Sequence, residues 1–166
     1  MAELTTLEAK LGEVTGLAMA AQDLTKKVAK LVEEEGEHEE LVQTLQRMGE
    51  EADETERRCT QIADGLDGKK TAVLEKARET KQEASEMAKT YLGDDADALD
   101  GFEFMTMAEA GEVGHWAIVQ ELAQKAGRSD VRELAGWAQP IQRRHFDQTM
   151  KGALELARSE DPDAVE

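Results

Sequence analysis

The chain has 166 residues, 40% of them hydrophobic, 4% aromatic and only two prolines, with a single cysteine, Cys59. That length suits one domain with a substantial core, and the lone cysteine rules out an internal disulfide and fits a reducing, cytoplasmic setting. A formal charge of −17 argues against nucleic acid and anionic membrane surfaces as partners, since phosphate would be repelled. No apolar run reaches the roughly 18 residues of a membrane span, and the opening MAELTTLEAKLGEV lacks the basic and apolar regions of a secretory signal.

The first helix is expected from Thr5/Thr6 to about Glu35. Leu7, Leu11, Val14, Leu17, Ala21, Leu24, Val28 and Leu31 step by three and four, which makes a one-sided apolar stripe. Gly12 and Gly16 weaken it locally but permit close approach of another helix. Gly36 ends it. A second helix is expected from Glu37 to Asp64, with Leu41, Leu45, Met48, Ala52, Thr55/Glu56, Cys59 and Ile62 toward the core. Asp53 lies one turn before Glu56.

GLDGKK (65–70) reads as a turn, and Thr71 to Leu92 as a thin-faced amphipathic connector. The acidic segment GDDADALDG (93–101) reads as a turn, without the spacing and terminal glutamate of a calcium loop. Met105 to Ala126 forms the next long helix, its stripe running Met105, Ala108, Glu112, His115/Trp116, Val119, Leu122 and Ala126. The joint GRSD (127–130) leads to the last helix, with Val131, Leu134, Ala138, Ile141/Gln142, His145, Thr149, Gly152 and Leu156 on one face and a kink expected at Pro140. Residues 1–158 thus make one helical domain, and SEDPDAVE (159–166) a frayed acidic tail.

The expected fold is all-α: four long helices in an antiparallel bundle, with a long crossover and one extra connecting helix. Phe102, Phe104, Trp116 and Trp137 are available for packing or for a homodimer interface. The polar groups on core stripes are the informative ones, because a buried titratable group must find a partner or a metal. Helix two offers Asp53 and Glu56; the Met105–Ala126 helix offers Glu112 and His115; the last helix offers Gln142 and His145. Helix one offers only Ala21 in its matching slot, flanked by Gln22 and Asp23. Carboxylates with imidazoles suit iron, manganese or zinc. The alternative is a buried hydrogen-bonded network without chemistry.

AAQDLTKKVAKL (20–31), EADETERRCTQI (51–62) and GEVGHWAIVQELAQKAGRSDVRELAGWAQPIQRRHFDQT (111–149) resemble the YciE/YciF-like branch of the ferritin-like superfamily. The resemblance implies a four-helix bundle whose di-metal pattern is a Glu from each of two helices and Glu-x-x-His from each of the others. Carried across, the first-helix ligand falls on Ala21, Glu-x-x-His of helix two on Asp53 and Glu56, the third-helix Glu on Glu112, and the last Glu-x-x-His on Gln142 and His145. A full di-iron ferroxidase is not expected from that set. Two functions follow as expectations. One is a reduced, one-metal iron or manganese site serving metal binding or stress protection. The other is a non-enzymatic structural or interaction module that keeps the bundle and has lost the metal.

Overall fold

The computed structural model describes residues 2–36 and 38–164. The described residues are all-helical, in five helices: α1 (Thr6–Glu35), α2 (Glu39–Asp64), α3 (Lys70–Tyr91), α4 (Ala98–Lys125) and α5 (Ser129–Ala157). The expected start of the second helix at Glu37 lies outside the described residues, as do positions 165 and 166 of the expected tail; the tail's described part, from Ser159 to Ala164, is turn or irregular.

Local chemistry sets the helix ends. Thr5 caps α1 in a reciprocal box with Glu8: its hydroxyl accepts from the Glu8 N–H, and Glu8 accepts from the Thr5 N–H at 2.7 Å. Gly36 takes the left-handed conformation (φ 82°) that closes the helix. The acidic segment expected as a turn through Gly101 is shorter than that. Asp97 and Asp100 form a second capping box, so α4 begins at Ala98. An aspartate-rich stretch read as turn chemistry is also good first-turn chemistry, and here the helix wins because the Ala98 N–H also donates to Glu35 at 2.9 Å. Pro140 lies within α5, which is assigned as one helix from Ser129 to Ala157.

α1 is central: it packs against α2, α3 and α4, while α4 pairs with α5 and α2 touches α5. Cross-contacts fix the directions. Gln22 meets Glu56 and Gly49 faces Thr25, so α1 and α2 are antiparallel. Phe102 stands against Gly152 and Glu112 against Gln142, so α4 and α5 are antiparallel. α3 runs parallel to α1, since Gly12 faces Val73 and Lys76 whereas Lys27 donates to the Leu92 carbonyl at 2.9 Å. It thereby carries the chain back along the length of α1 before α4 begins.

The stripe residues form two apolar clusters. One holds Leu7, Leu11, Val14, Cys59, Val73, Trp116 and Val119 among others. The second, toward the far end of α1, includes Val28, Leu45, Met48, Phe102, Met105 and Leu156. Phe102, Phe104 and Trp116 are therefore core, and Trp137 is partly buried beside the first cluster under the Arg58 guanidinium. The large apolar side chains left in solvent are Met87, Tyr91, Met107, Ile118, Met150 and Leu154, none of which was expected as an interface residue.

The close approach expected of Gly12 and Gly16 is used by α3. A Cβ on Gly12 would stand 2.8 Å from that of Lys76, and one on Gly16 would run into the Ala77 carbonyl. Gly16→Ala therefore costs about 1–3 kcal/mol by overpacking, although alanine is the better helix former. Gly114, with open space where its Cβ would go, gives the opposite sign: Gly114→Ala stabilises by about 0.5–1 kcal/mol. Urea unfolding of both variants measures the contrast.

Candidate functional site

Between the two apolar clusters lies a layer of polar side chains. Glu109 and Glu112 of α4 are buried, at 3% and 6% exposure, and so are Gln142 and His145 of α5. Each pair is spaced i, i+3, so both members share a helix face. Because α4 and α5 are antiparallel, the pairs meet crosswise. The Gln142 amide donates to Glu112. His145 Nδ1 lies 3.6 Å from Glu109, an ion-pair separation rather than a hydrogen bond.

α2 supplies the remaining partner. Glu51 is 2.6 Å from His145 Nε2 and accepts from Arg144 at 2.5 Å. His145 thus stands between two carboxylates, one at each ring nitrogen. A protonated ring would be attracted by both carboxylates, although only Nε2 is within hydrogen-bond distance. Burial by itself would push its pKa down, but Glu109 and Glu51 outweigh burial, and the net shift is upward. For Glu51, burial opposes ionisation while His145 and Arg144 favour it, and the carboxyl is held below its ordinary range. Glu112 goes the other way. Burial, reinforced by the negative charge of Glu109, lifts it well above the ordinary carboxyl value. The layer therefore holds a His145 that keeps its proton more readily than a free imidazole, a Glu51 that ionises more readily and a Glu112 that ionises less readily than a free carboxyl.

The six residues singled out in the sequence divide. Glu112, Gln142 and His145 are brought together. Glu56 is half-buried and takes a 2.6 Å hydrogen bond from Gln22 of α1, beside the layer rather than within the Glu51–His145–Glu109 contacts. Asp53 is exposed and pairs with Arg57 at 3.0 Å; it lies on the solvent side of α2, one residue past the buried Ala52. His115 is only half-buried, with Nδ1 3.8 Å from Glu13 of α1. It sits one residue before Trp116, and Trp116 takes the core position. Neither Asp53 nor His115 joins the layer.

Two residues that do join it, Glu51 and Glu109, were not among the candidates. Both could be reached by following the stripe with the other choice of step. From Met105 the buried face of α4 runs to Glu109, Glu112, Trp116, Val119 and Ala123, whereas a first step of three selects Ala108. Glu51 lies three residues after buried Met48, beside Ala52.

Among the described residues, no three His, Cys, Asp or Glu side chains are grouped so as to hold a metal ion. Gln142 turns its amide N–H toward Glu112, and both nitrogens of His145 face carboxylates. Ala21 offers no donor at all. Cys59 is wholly buried; burial, with the charges of Glu56 and Glu112 adding to it and Thr15 opposing, pushes its thiol up to about 12. No protein-family model, curated protein or solved structure matches the chain.

Along the outer side of this layer an apolar groove of about 490 Å³ opens between α1, the C-terminal half of α3 and α4. Leu17, Ala21, Leu24, Met87, Tyr91 and Met107 are among its walls, and Glu109 and Glu112 line it as well. The groove exists because α3 scarcely touches α4 and because α1 presents the small Ala20 and Ala21 there.

The shifts set the pH dependence of stability. His145 is more basic folded than unfolded, so its contribution is full below about pH 6.5 and is lost as pH rises through its higher folded value. Glu112 acts in the same direction, because the folded chain keeps a proton that the unfolded chain releases above about pH 4.5. Glu51 is opposite: its contribution is present above about pH 4.5 and is lost as pH falls through its lowered folded value. Melting temperatures should therefore decline on the alkaline side, and Glu112→Gln, which keeps the shape and removes the titration, should flatten part of that decline. An unchanged profile in Glu112→Gln would show that Glu112 ionises in the folded chain as it does in the unfolded one. Cys59 should resist thiol reagents until the chain unfolds, at a rate tracking global unfolding.

Proposed function

We propose that this protein is a ferritin-like four-helix bundle, formed by α1, α2, α4 and α5, that serves as a non-enzymatic interaction module. α3 is its long crossover, wound as a helix. The directions of the helices support the topology, since α1 is antiparallel to α2 and α4 to α5, with α3 returning the chain along α1 between the two pairs.

One observation carries the functional half of the reading: His145 stands between Glu51 and Glu109 with a carboxylate at each ring nitrogen. A metal ligand must offer a nitrogen lone pair, and the two flanking carboxylates favour the protonated ring, which has none. The positive charge that a metal would bring among the carboxylates is supplied by the protein's own His145 and Arg144. The first-helix and last-helix carboxylates of the di-metal pattern are Ala21 and Gln142, so the donor set does not fit a di-iron centre, and no catalytic step is assigned.

A second reading, a single iron or manganese ion, has one observation in its favour: the buried Oε2 of Glu109 has no hydrogen-bond partner. The two readings separate by experiment. Protein expressed with added iron or manganese should carry well under one ion per chain, and a chelator should leave its melting temperature unchanged. Stoichiometric metal that disappears in Glu109→Ala or His145→Ala would reverse the assignment.

A further inference from the structure

We propose that the apolar trough over α1, α3 and α4 is the docking site of an amphipathic helix with a basic polar face, supplied by a partner protein. The inference rests on the interaction-module reading above and deepens it, since it names the kind of partner such a module takes.

Of the six large apolar side chains left in solvent among the described residues, five share this one face. Met87, Tyr91 and Met107 edge the groove, and a second depression shares Tyr91, Phe104 and Met107 and continues to Met150 and Leu154 of α5. Exposed apolar surface gathered in one place, rather than scattered singly, marks an interaction face. Together the two depressions follow α4 from Leu99 to His115, a length of about 24 Å at the helical rise per residue. That is the length of a helix of about four turns, and more than a small molecule needs. Three of the five side chains are methionines, whose unbranched thioethers repack against differing shapes.

The walls decide the form of the occupant. They are helices whose backbone groups are already paired, so an extended peptide would find no strand edge among the described residues for its own N–H and C=O groups. A helix satisfies those groups internally and needs only an apolar surface for its apolar stripe. Ala20, Ala21, Ala84 and Ala88 are small, and the groove of about 490 Å³ beside them gives the partner's larger side chains room. Charge decides the other face of the occupant. At the turn between α3 and α4, beside the second depression, Asp94, Asp95, Asp97, Asp100 and Glu103 are all exposed. Asp97 and Asp100 accept from backbone N–H groups, neutral donors that leave their negative charge in place. The lysines that line the trough are Lys27, which donates to the Leu92 carbonyl, and Lys89. A second copy of the chain would bring its own formal charge of −17, whereas lysine and arginine on a helix's polar face would meet the acidic rim.

The test is fluorescence anisotropy of labelled peptides with the full chain at about 0.15 M salt. One peptide, of about 16 residues, has leucine at helical spacing and lysine elsewhere. A second has glutamate in place of lysine, and a third keeps the composition of the first with the spacing destroyed. Saturable one-to-one binding is expected of the first, with helix gained on binding by circular dichroism, and binding at least about tenfold weaker of the other two. Ala84→Trp, which fills the groove from α3, and Met107→Gln combined with Leu154→Gln should each weaken the first peptide by about tenfold or more. Ile118→Gln, off the face, should leave it unchanged, and circular dichroism confirms the helices in every variant. Asp95→Asn with Glu103→Gln should weaken it by about threefold or more, and Glu121→Gln with Glu133→Gln, near the joint of α4 and α5, by less. Equal affinity for the glutamate or the shuffled peptide, indifference to the groove variants, or equal losses from the two acid pairs would overturn the proposal. So would a stable dimer that Met107→Asp converts to monomer, for the face would then belong to a second copy of the chain. Elemental analysis of the same samples keeps the two ideas apart: stoichiometric metal defeats the metal-free interaction module, whereas metal-free protein that binds none of the peptides defeats only the docking site.

Discussion

The arrangement depends on burying a set of titratable groups at mid-height in a helical core. Glu109, Glu112, Gln142 and His145 lie between one apolar cluster around Trp116 and another around Phe102. A buried charge without a partner costs far more than a misplaced methylene, so the layer restricts how α4 and α5 can slide past each other. A shift of one turn would set Glu112 or His145 against apolar side chains and strand its partner. The apolar stripes alone tolerate several registers; the crosswise match of two i, i+3 pairs selects one. Glu51 extends the same constraint to α2, which otherwise touches α5 much less than it touches α1.

Packing on α1 supplies the complementary constraint. Its face toward α3 is made narrow by Gly12 and Gly16, and there the α3 backbone comes close. Further along, Ala20 and Ala21 are also small, but α3 does not close down on them, and the space becomes the groove. The same poverty of side chain therefore has opposite results in neighbouring turns. Where backbone meets backbone, small residues produce contact. Where α3 carries Ala84, Ser85 and Ala88 opposite, nothing is large enough to fill the gap.

Much of the fold could be read from the sequence because long amphipathic helices leave a strong periodic signal. The five helices, the role of the two glycines and the Gly36 break all followed from the spacing of apolar residues. What failed was phase within a stripe. Steps of three and four are equally good locally, and choosing Ala108 over Glu109, or His115 over Trp116, turns the reading of the face by the angle between adjacent residues, about 100°. Glu112, Gln142 and His145 survive that uncertainty because they sit near the centre of the buried face. Asp53 and His115 sit at its edge, where a neighbouring residue (Ala52 or Trp116) takes the inward position. Glu51 was hidden for a further reason: it belongs to an acidic run, Glu50–Glu51, that reads as solvated surface unless Arg144 and His145 are known to face it.

The charges of the layer are set against one another within the protein. Gln142 in the layer and Ala21 beside it bring no charge, which lowers the negative charge to be balanced. The remaining charge is divided: Glu51 is matched by Arg144 and His145, and Glu112 is pushed toward its neutral form. Glu109 faces His145 Nδ1 at 3.6 Å through Oε2, a buried oxygen that accepts no hydrogen bond. Its charge helps raise the pKa of both His145 and Glu112, with burial the larger cause for Glu112. With Glu51 and Glu109 flanking His145 and Gln142 bonded to Glu112, the layer balances its charge within the bundle and ties α2, α4 and α5 into one register.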